Sequence, residues 1–450
     1  MLFKYFKNPI AKNFIAQLYG IGARMVEQIF LIPFFISFWG VERYGDWIIL
    51  TAISSFFTMS NVGLNSATAN CFAIAYAQEK YKECQTLLAN NYILLFVISF
   101  IAILGTFFFV NSFNIVKILG LHVIPRFSAN MVFVILIIEV FLLMYTGLLN
   151  SIYRARSLAS RGTFLDRTAM LLSSISIILG LYLHLSFECI VLVKIFPTCI
   201  LLCFKYWDTK RLFKYRISLS LFDKKKFKDL VLPSLSFMCF PIGDSILFQG
   251  FTLVVNRFYG VNMMVLFNTT RTMVNFVKSL VNTINFSVEP EFSLAYGKKD
   301  YLRMRRIHRY SISLSSVLCL CVTFVLLLLG QYIYEIWTKG QIEFNQSLMF
   351  VFMIVVLFDN LWTTSSVTLK ATNNHTKLGI FYLLSTIFSI ILAIGVTKIY
   401  TSITITVLCI LVVSVALTLY VFKKSLILTK DSVMEIRRDV ITWFKIRKTC

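Results

Sequence analysis

Seven polar residues mark one face of the stretch 262–289. Asn268, Arg271, Asn275, Lys278, Asn282, Asn285 and Glu289 follow one another at steps of 3, 4, 3, 4, 3 and 4, a rhythm that puts all seven on one side of an α-helix. The other faces carry Met263, Leu266, Phe267, Met273, Val274, Val277, Val281, Ile284 and Val288. The stretch is thus long and apolar enough to cross a bilayer, yet it holds two cations near its middle. A charge at that depth costs about 3 kcal/mol or more unless it faces protein or water. The stripe is therefore expected to line a wet, positively charged interior. Arginine there can clamp an anion through two hydrogen bonds, and lysine acts as a point charge.

The elements that must position this stripe are set by composition. Of 450 residues, 58% are apolar and 14% charged, against about 25% charged in soluble domains. The chain reads as an all-α polytopic membrane protein of about 12 spans, near 14–38, 47–72, 88–110, 129–152, 167–186, 188–206, 230–255, 262–288, 310–334, 346–369, 377–397 and 401–422. With both termini inside the cell (N-in, C-in), most of the 44 Lys and Arg fall on cytoplasmic segments, as the positive-inside rule requires. The net charge of +23 is then a topology signal, and no nucleic-acid partner is needed to explain it. The ten cysteines show neither metal-ligand spacing nor a disulfide framework. The N-terminal run after Lys4, Lys7 and Lys12 is long, carries Arg24 and Glu27 and lacks a small-residue cleavage pattern, so it reads as a retained first helix.

An internal repeat organises the spans. Ala75-Tyr76-Ala77-Gln78-Glu79-Lys80-Tyr81 aligns with Ala295-Tyr296-Gly297-Lys298-Lys299-Asp300-Tyr301 at an offset of 220. The same offset projects the charged stripe onto Thr51, Ser55, Thr58, Val62 and Asn65, and puts Glu139 on Asp359. Upstream, Tyr44-Gly45 matches Tyr259-Gly260 only at 215, which calls for a gap of five. Two six-helix lobes follow, a common transporter plan with the site at the repeat interface: residues 1–206, a basic cytoplasmic linker 207–229, residues 230–422, and a basic tail 423–450. In that tail Val433, Ile436, Val440 and Trp443 recur at helical spacing, as in an interfacial helix. The linker faces anionic lipids of the inner leaflet.

Other polar positions inside spans extend the candidate site. Arg24 and Glu27 share a face of the first span, either as a self-neutralising pair or as part of the transport path. Thr51, Thr58 and Asn65 line the second span. Lys194 is expected to snorkel. Pro233, Pro241 and Gly243 precede Asp244 and are expected to break the seventh span, freeing carbonyls for a cation. Asp244 is then an ion-coupling candidate. The alternative is a kink in which Asp244 pairs with Arg271 or Lys278. The four histidines form no nucleophile or metal constellation, and no phosphate-binding glycine loop is present, so uphill transport must use an ion gradient or a partner.

These residues resemble the multidrug/oligosaccharidyl-lipid/polysaccharide (MOP) exporter superfamily, and within it the polysaccharide transporter branch that includes Wzx-type O-antigen flippases. The resemblance is carried by Tyr44-Gly45, Asn61-Val62-Gly63-Leu64, the Ala75–Tyr81 ending, Glu289-Pro290 and Ala295-Tyr296-Gly297, and the twelve-span plan extends it over the whole chain. It implies a MATE-like fold of two lobes around a cavity of alternating access, in a bacterial inner membrane. It implies an undecaprenyl-pyrophosphate-linked oligosaccharide as cargo, working beside polysaccharide polymerase and chain-length machinery. Arg271, Lys278 and Arg24 would meet the pyrophosphate; Asn268, Asn275, Asn282, Asn285, Thr51, Thr58 and Asn65 would suit sugar hydroxyls. No cofactor is implied beyond a coupling ion, H+ or Na+. Drug-exporting relatives keep acidic residues on the seventh and tenth helices, so Asp244 and Asp359 inherit an ion-coupling role, with Glu139 or Glu27 as substitutes. A cation-coupled multidrug exporter of the same fold is the competing reading, disfavoured by a cationic helix face. A membrane polymerase or acyltransferase would require a large external loop or a histidine-centred site.

Overall fold

A computed structural model describes residues 8–340 and 342–432, without the side chains of residues 28–30, 32, 41, 52–62 and 219. Of the tail expected over 423–450, residues 423–429 continue the last described helix, Ile403–Thr429, while 433–450, which carry the helical spacing, and the side chain of Thr58 lie outside the described residues. The chain packs as two compact units, Met1–Leu235 and Ser236–Cys450.

The first unit opens on α1, Pro9–Ala77, with Asn8 as its cap and Pro9 in its first turn, where the missing N–H costs nothing. Then come α2 (Tyr81–Ser112), the short α3 (Ile115–Leu119), α4 (Arg126–Ala155), α5 (Ala159–Tyr182) and α6 (Phe187–Leu212). The second unit is built from α7 (Lys224–Gly297), which starts just before the unit boundary, then α8 (Tyr301–Thr338), α9 (Gln346–Ala371), α10 (Thr376–Thr397) and α11 (Ile403–Thr429). The two longest helices, of 69 and 74 residues, are each long enough for two membrane crossings. α1 leaves helical geometry only at Gly40 (φ 74°) and α7 only at Gly260 (φ 83°), a left-handed region that glycine enters without a Cβ penalty. Nine described helices are long and apolar enough to cross a membrane, and the chain is a multi-pass membrane protein.

The repeat is written in the backbone. Gly40 and Gly260, Glu79 and Lys299, and Gly120 and Gly340 all have positive φ, and each pair is 220 apart. The matched endings of α1 and α7 close with the same bonds. Glu79 N–H donates to Tyr76 O and Lys80 N–H to Ala75 O, both at 3.0 Å, as Lys299 N–H does to Tyr296 O and Asp300 N–H to Ala295 O, also at 3.0 Å. This pairing is the helix-ending motif that satisfies the last carbonyls. The expected gap of five at Tyr44-Gly45 is corrected. The equivalent of Gly260 is Gly40, at the unbroken offset, because what recurs is the backbone conformation and not the Tyr-Gly dipeptide.

Each unit has its own apolar core. In the first, Phe35, Trp47, Leu50, Ile115, Val132, Leu136 and Ile190 are buried together; in the second, Phe251, Val255, Phe267, Val274, Val277, Phe352 and Val407. Asp46, fully buried, ties the turn after α3 to α1. Its carboxylate accepts from the backbone N–H of His122, Val123 and Ile124 at 2.9–3.0 Å, which offsets the cost of burying it. The basic linker is strapped to α2: Asn90 and the backbone of Asp223 exchange two 3.0 Å bonds, and Lys226 meets Glu83 at 3.3 Å.

Candidate functional site

The second crossing of α7 carries the stripe, and its seven residues sit in different surroundings. Arg271 is buried, with 7% of its surface exposed. Its guanidinium lies 3.5 Å from the Phe248 ring centroid and 4.7 Å from that of Phe267. Nη1 donates to the Phe248 carbonyl at 2.8 Å; Nη2 donates to Thr252 Oγ1 at 3.0 Å and to Asn268 Oδ1 at 2.5 Å. Phe248 and Thr252 belong to the first crossing of α7, so Arg271 and Asn268 together clamp the two crossings on either side of Gly260. Two rings and three acceptors compensate a cation that would otherwise be too costly to bury.

Lys278, two turns on, is placed otherwise. Its side chain is 37% exposed, and Nζ donates to Asp359 Oδ2 of α9 at 2.5 Å. Asp359 Oδ1 accepts from Trp362 Nε1 at 3.0 Å and from Ser414 Oγ of α11 at 2.6 Å. Asn275, just before Lys278, is exposed and Asn282 half-buried. Asn285 is buried, donates to Asn282 Oδ1 at 3.3 Å, and its own Oδ1 has no partner among the described residues. Glu289 faces the charge of Lys370, which lies 4.1 Å from the Phe240 ring.

Asp244 is held by Tyr382 of α10, whose hydroxyl donates to Oδ1 at 2.5 Å. The expected pairing with Arg271 or Lys278 is corrected, since those cations have nearer partners. The expected break of the helix before Asp244 is corrected too: α7 stays helical through Pro233, Pro241 and Gly243. Gly243 has a packing reason instead. A Cβ there would meet Tyr382 Cε1 at 2.6 Å, so the glycine lets Tyr382 lie against α7 and reach Asp244. The Tyr382 and Trp362 rings are in contact, tilted by 37° with centroids 5.3 Å apart, which links the surroundings of Asp244 and Asp359.

In the first unit the corresponding positions are neutral or differently paired. Thr51 bonds back to the carbonyls of Trp47 and Ile48 at 2.9 and 3.1 Å. Asn65 donates to Met144 O at 2.8 Å and accepts from Asn91 at 3.1 Å. Arg24 Nε donates to Gly20 O at 3.4 Å. Glu27 faces Ser174 and lies in the field of Lys194 and Arg24, and no Arg24–Glu27 ion pair forms among the described residues. Lys194, expected to snorkel, pairs with Glu139 of α4, a buried carboxylate within reach of its stem. Glu139 and Asp359, one repeat apart, are thus both neutralised by a lysine, but from different helices.

One polar cluster escaped the sequence reading. Lys205 of α6 is fully buried and donates to Asp166 Oδ1 at 2.5 Å and Asn150 Oδ1 at 2.8 Å. Beside it Tyr153 and Arg161 both donate to Asp208, at 2.6 and 2.8 Å. It lies where positive-inside charge is expected, so nothing in the sequence separates Lys205 from its surface neighbours Lys210 and Arg211. Among the described residues no group of His, Cys, Asp and Glu could hold a metal ion.

No protein-family profile matches this sequence, and no curated protein matches it. Solved structures do. A mutant MATE superposes with a TM-score of 0.78 at 16% identity, covering 94% of this chain and 96% of that one. An outward-facing multidrug resistance MATE family transporter of the MOP superfamily gives 0.74 at 15%, covering 94% and 97%. A MOP superfamily transporter from Pyrococcus furiosus, whose binding pocket of reverse polarity is said to suggest a different function, gives 0.74 at 14%, covering 94% and 95%. At such identities the likeness is one of fold, and over nearly its whole length this chain has the two-lobe fold of the MATE transporters.

Proposed function

We propose that this protein is a flippase. It carries an undecaprenyl-pyrophosphate-linked oligosaccharide, an O-antigen unit or a similar polysaccharide precursor, across the bacterial inner membrane by alternating access. The observation that carries the reading is Lys278: an ammonium at mid-span, over a third exposed, flanked on its face by Asn275 and Asn282. That arrangement offers a charge to a dense anion and amides to hydroxyls. Arg271, with both terminal nitrogens engaged inside the unit, acts as a strut behind that face. Asp244 and Asp359 are the proposed coupling carboxylates, with Glu139 and Glu27 enclosed in the other lobe. Polymerase and chain-length proteins would receive the product.

A cation-coupled multidrug exporter of the same fold is the second reading, and the fold likeness to a multidrug resistance MATE transporter favours it. Deletion of the gene separates the two. A flippase deletion traps the lipid-linked intermediate on the cytoplasmic leaflet, with surface glycan restored by the wild-type chain and not by Lys278→Ala. Drug hypersensitivity with normal surface glycan would select the exporter instead.

A further inference from the structure

We propose that Lys278 and Asp359 form an exchangeable ion pair, in which a pyrophosphate-type anion takes the ammonium of Lys278 away from Asp359 as it binds. This rests on the flippase reading only for the choice of anion.

The two oxygens of Asp359 have separate tasks. Oδ1 is satisfied by Trp362, on its own helix, and by Ser414, on α11; Oδ2 is left to Lys278. Loss of Lys278 therefore leaves the carboxylate anchored from two helices and still hydrogen-bonded. The side chain of Asp359 is 15% exposed and that of Lys278 is 37%, so the lysine is the partner free to move, on a stem of four carbons. A pyrophosphate carries more charge than a carboxylate and offers several acceptor oxygens, so it competes well for one ammonium. Asp359 then acts as a built-in stand-in for the ligand. It keeps a mid-membrane cation neutralised while no anion is bound.

The repeat supplies an internal contrast. Glu139, at the position matching Asp359, meets Lys194, whose side chain is 21% exposed and whose ammonium lies 6.0 Å from the Trp47 ring. That pair is the more enclosed, and its lysine lies on α6, outside the polar stripe. Arg271 offers another contrast, since its terminal nitrogens have no such single, removable partner.

The test is binding of inorganic pyrophosphate and of farnesyl pyrophosphate to the full chain in nanodiscs, by calorimetry. Lys278→Gln should weaken binding about tenfold or more, whereas Asp359→Asn should tighten it several-fold, because it removes the competitor. A merely structural pair would weaken in both variants, and that outcome, or unchanged affinity in Asp359→Asn, overturns the exchange. If Asp359→Asn does not fold, Asp359→Ser is read the same way. Failure of the wild type to bind either probe also overturns it. Tighter binding of the prenyl compound assigns the anion to a lipid headgroup; equal binding assigns it to a free phosphate. If the opposite shifts appear while gene deletion leaves surface glycan intact, the exchange stands and the flippase reading falls.

Discussion

Replacing Arg271 separates a strut from a ligand contact. In the folded chain its guanidinium makes three hydrogen bonds and lies between two rings. Hydrogen bonds to a charged group contribute about 1.5–3 kcal/mol each, and the ring contacts add about 1–2 kcal/mol. Against this stands the several kcal/mol needed to desolvate the cation, and since the acceptors are neutral, removing the guanidinium leaves a net loss of about 1–3 kcal/mol. Arg271→Ala empties the space between Phe248 and Phe267 and takes one donor each from Thr252, Asn268 and the Phe248 carbonyl, the last two keeping the Thr252 hydroxyl as a side-chain donor. Arg271→Lys keeps the charge but cannot reproduce the fork, so it should recover only part of the loss. The expected result is a lower thermal midpoint and less folded protein for Arg271→Ala, and a smaller effect for Arg271→Lys and for Lys278→Ala, whose loss leaves Asp359 still hydrogen-bonded to Trp362 and Ser414. The assay is thermal unfolding of purified protein in detergent, followed by intrinsic fluorescence, beside membrane abundance in cells. Wild-type stability in Arg271→Ala together with lost transport would refute the strut and return Arg271 to the ligand.

Two further outcomes follow from packing. Gly260→Ala and Gly40→Ala should each destabilise by about 1–3 kcal/mol through the backbone alone, because φ 83°, ψ 176° and φ 74°, ψ 170° lie in a region open essentially to glycine and no described atom lies within 4 Å of a Cβ at either site; a wild-type thermal midpoint in both variants would refute the backbone cause. Lys205→Met should cost about 1–3 kcal/mol by taking the buried donor away from Asn150 and from Asp166, whose side chain is 29% exposed, and Lys205→Met with Asp166→Leu should recover part of it in a thermal-unfolding cycle; no recovery in the double variant would mean that the pair does not act as a unit.

Much of the architecture is legible in the residues themselves. Hydropathy demands membrane helices, since a bilayer leaves the backbone no other partner for its hydrogen bonds. The recurrence of one helix-ending heptapeptide at an offset of 220 exposes the repeat, because a helix ending is local chemistry. The stripe on α7 is legible too, for helical period is a property of spacing alone. Partnership is not local, and there the sequence falls silent. Arg271 and Lys278 occupy the same face, seven residues apart, and nothing in their spacing tells a clamp from an exposed ammonium. That difference comes from Phe248 and Thr252 folding back across Gly260, and from Asp359 arriving on α9. The same holds for Asp244, whose partner Tyr382 is 138 residues away, and for Lys205, a surface-like lysine in sequence and a buried one in the fold. Which residues could carry charge into the membrane was decided by sequence. Which of those charges is spent inside the protein, and which is left for a ligand, was decided by tertiary packing, because electrostatic compensation depends on what lies within a few ångströms in space.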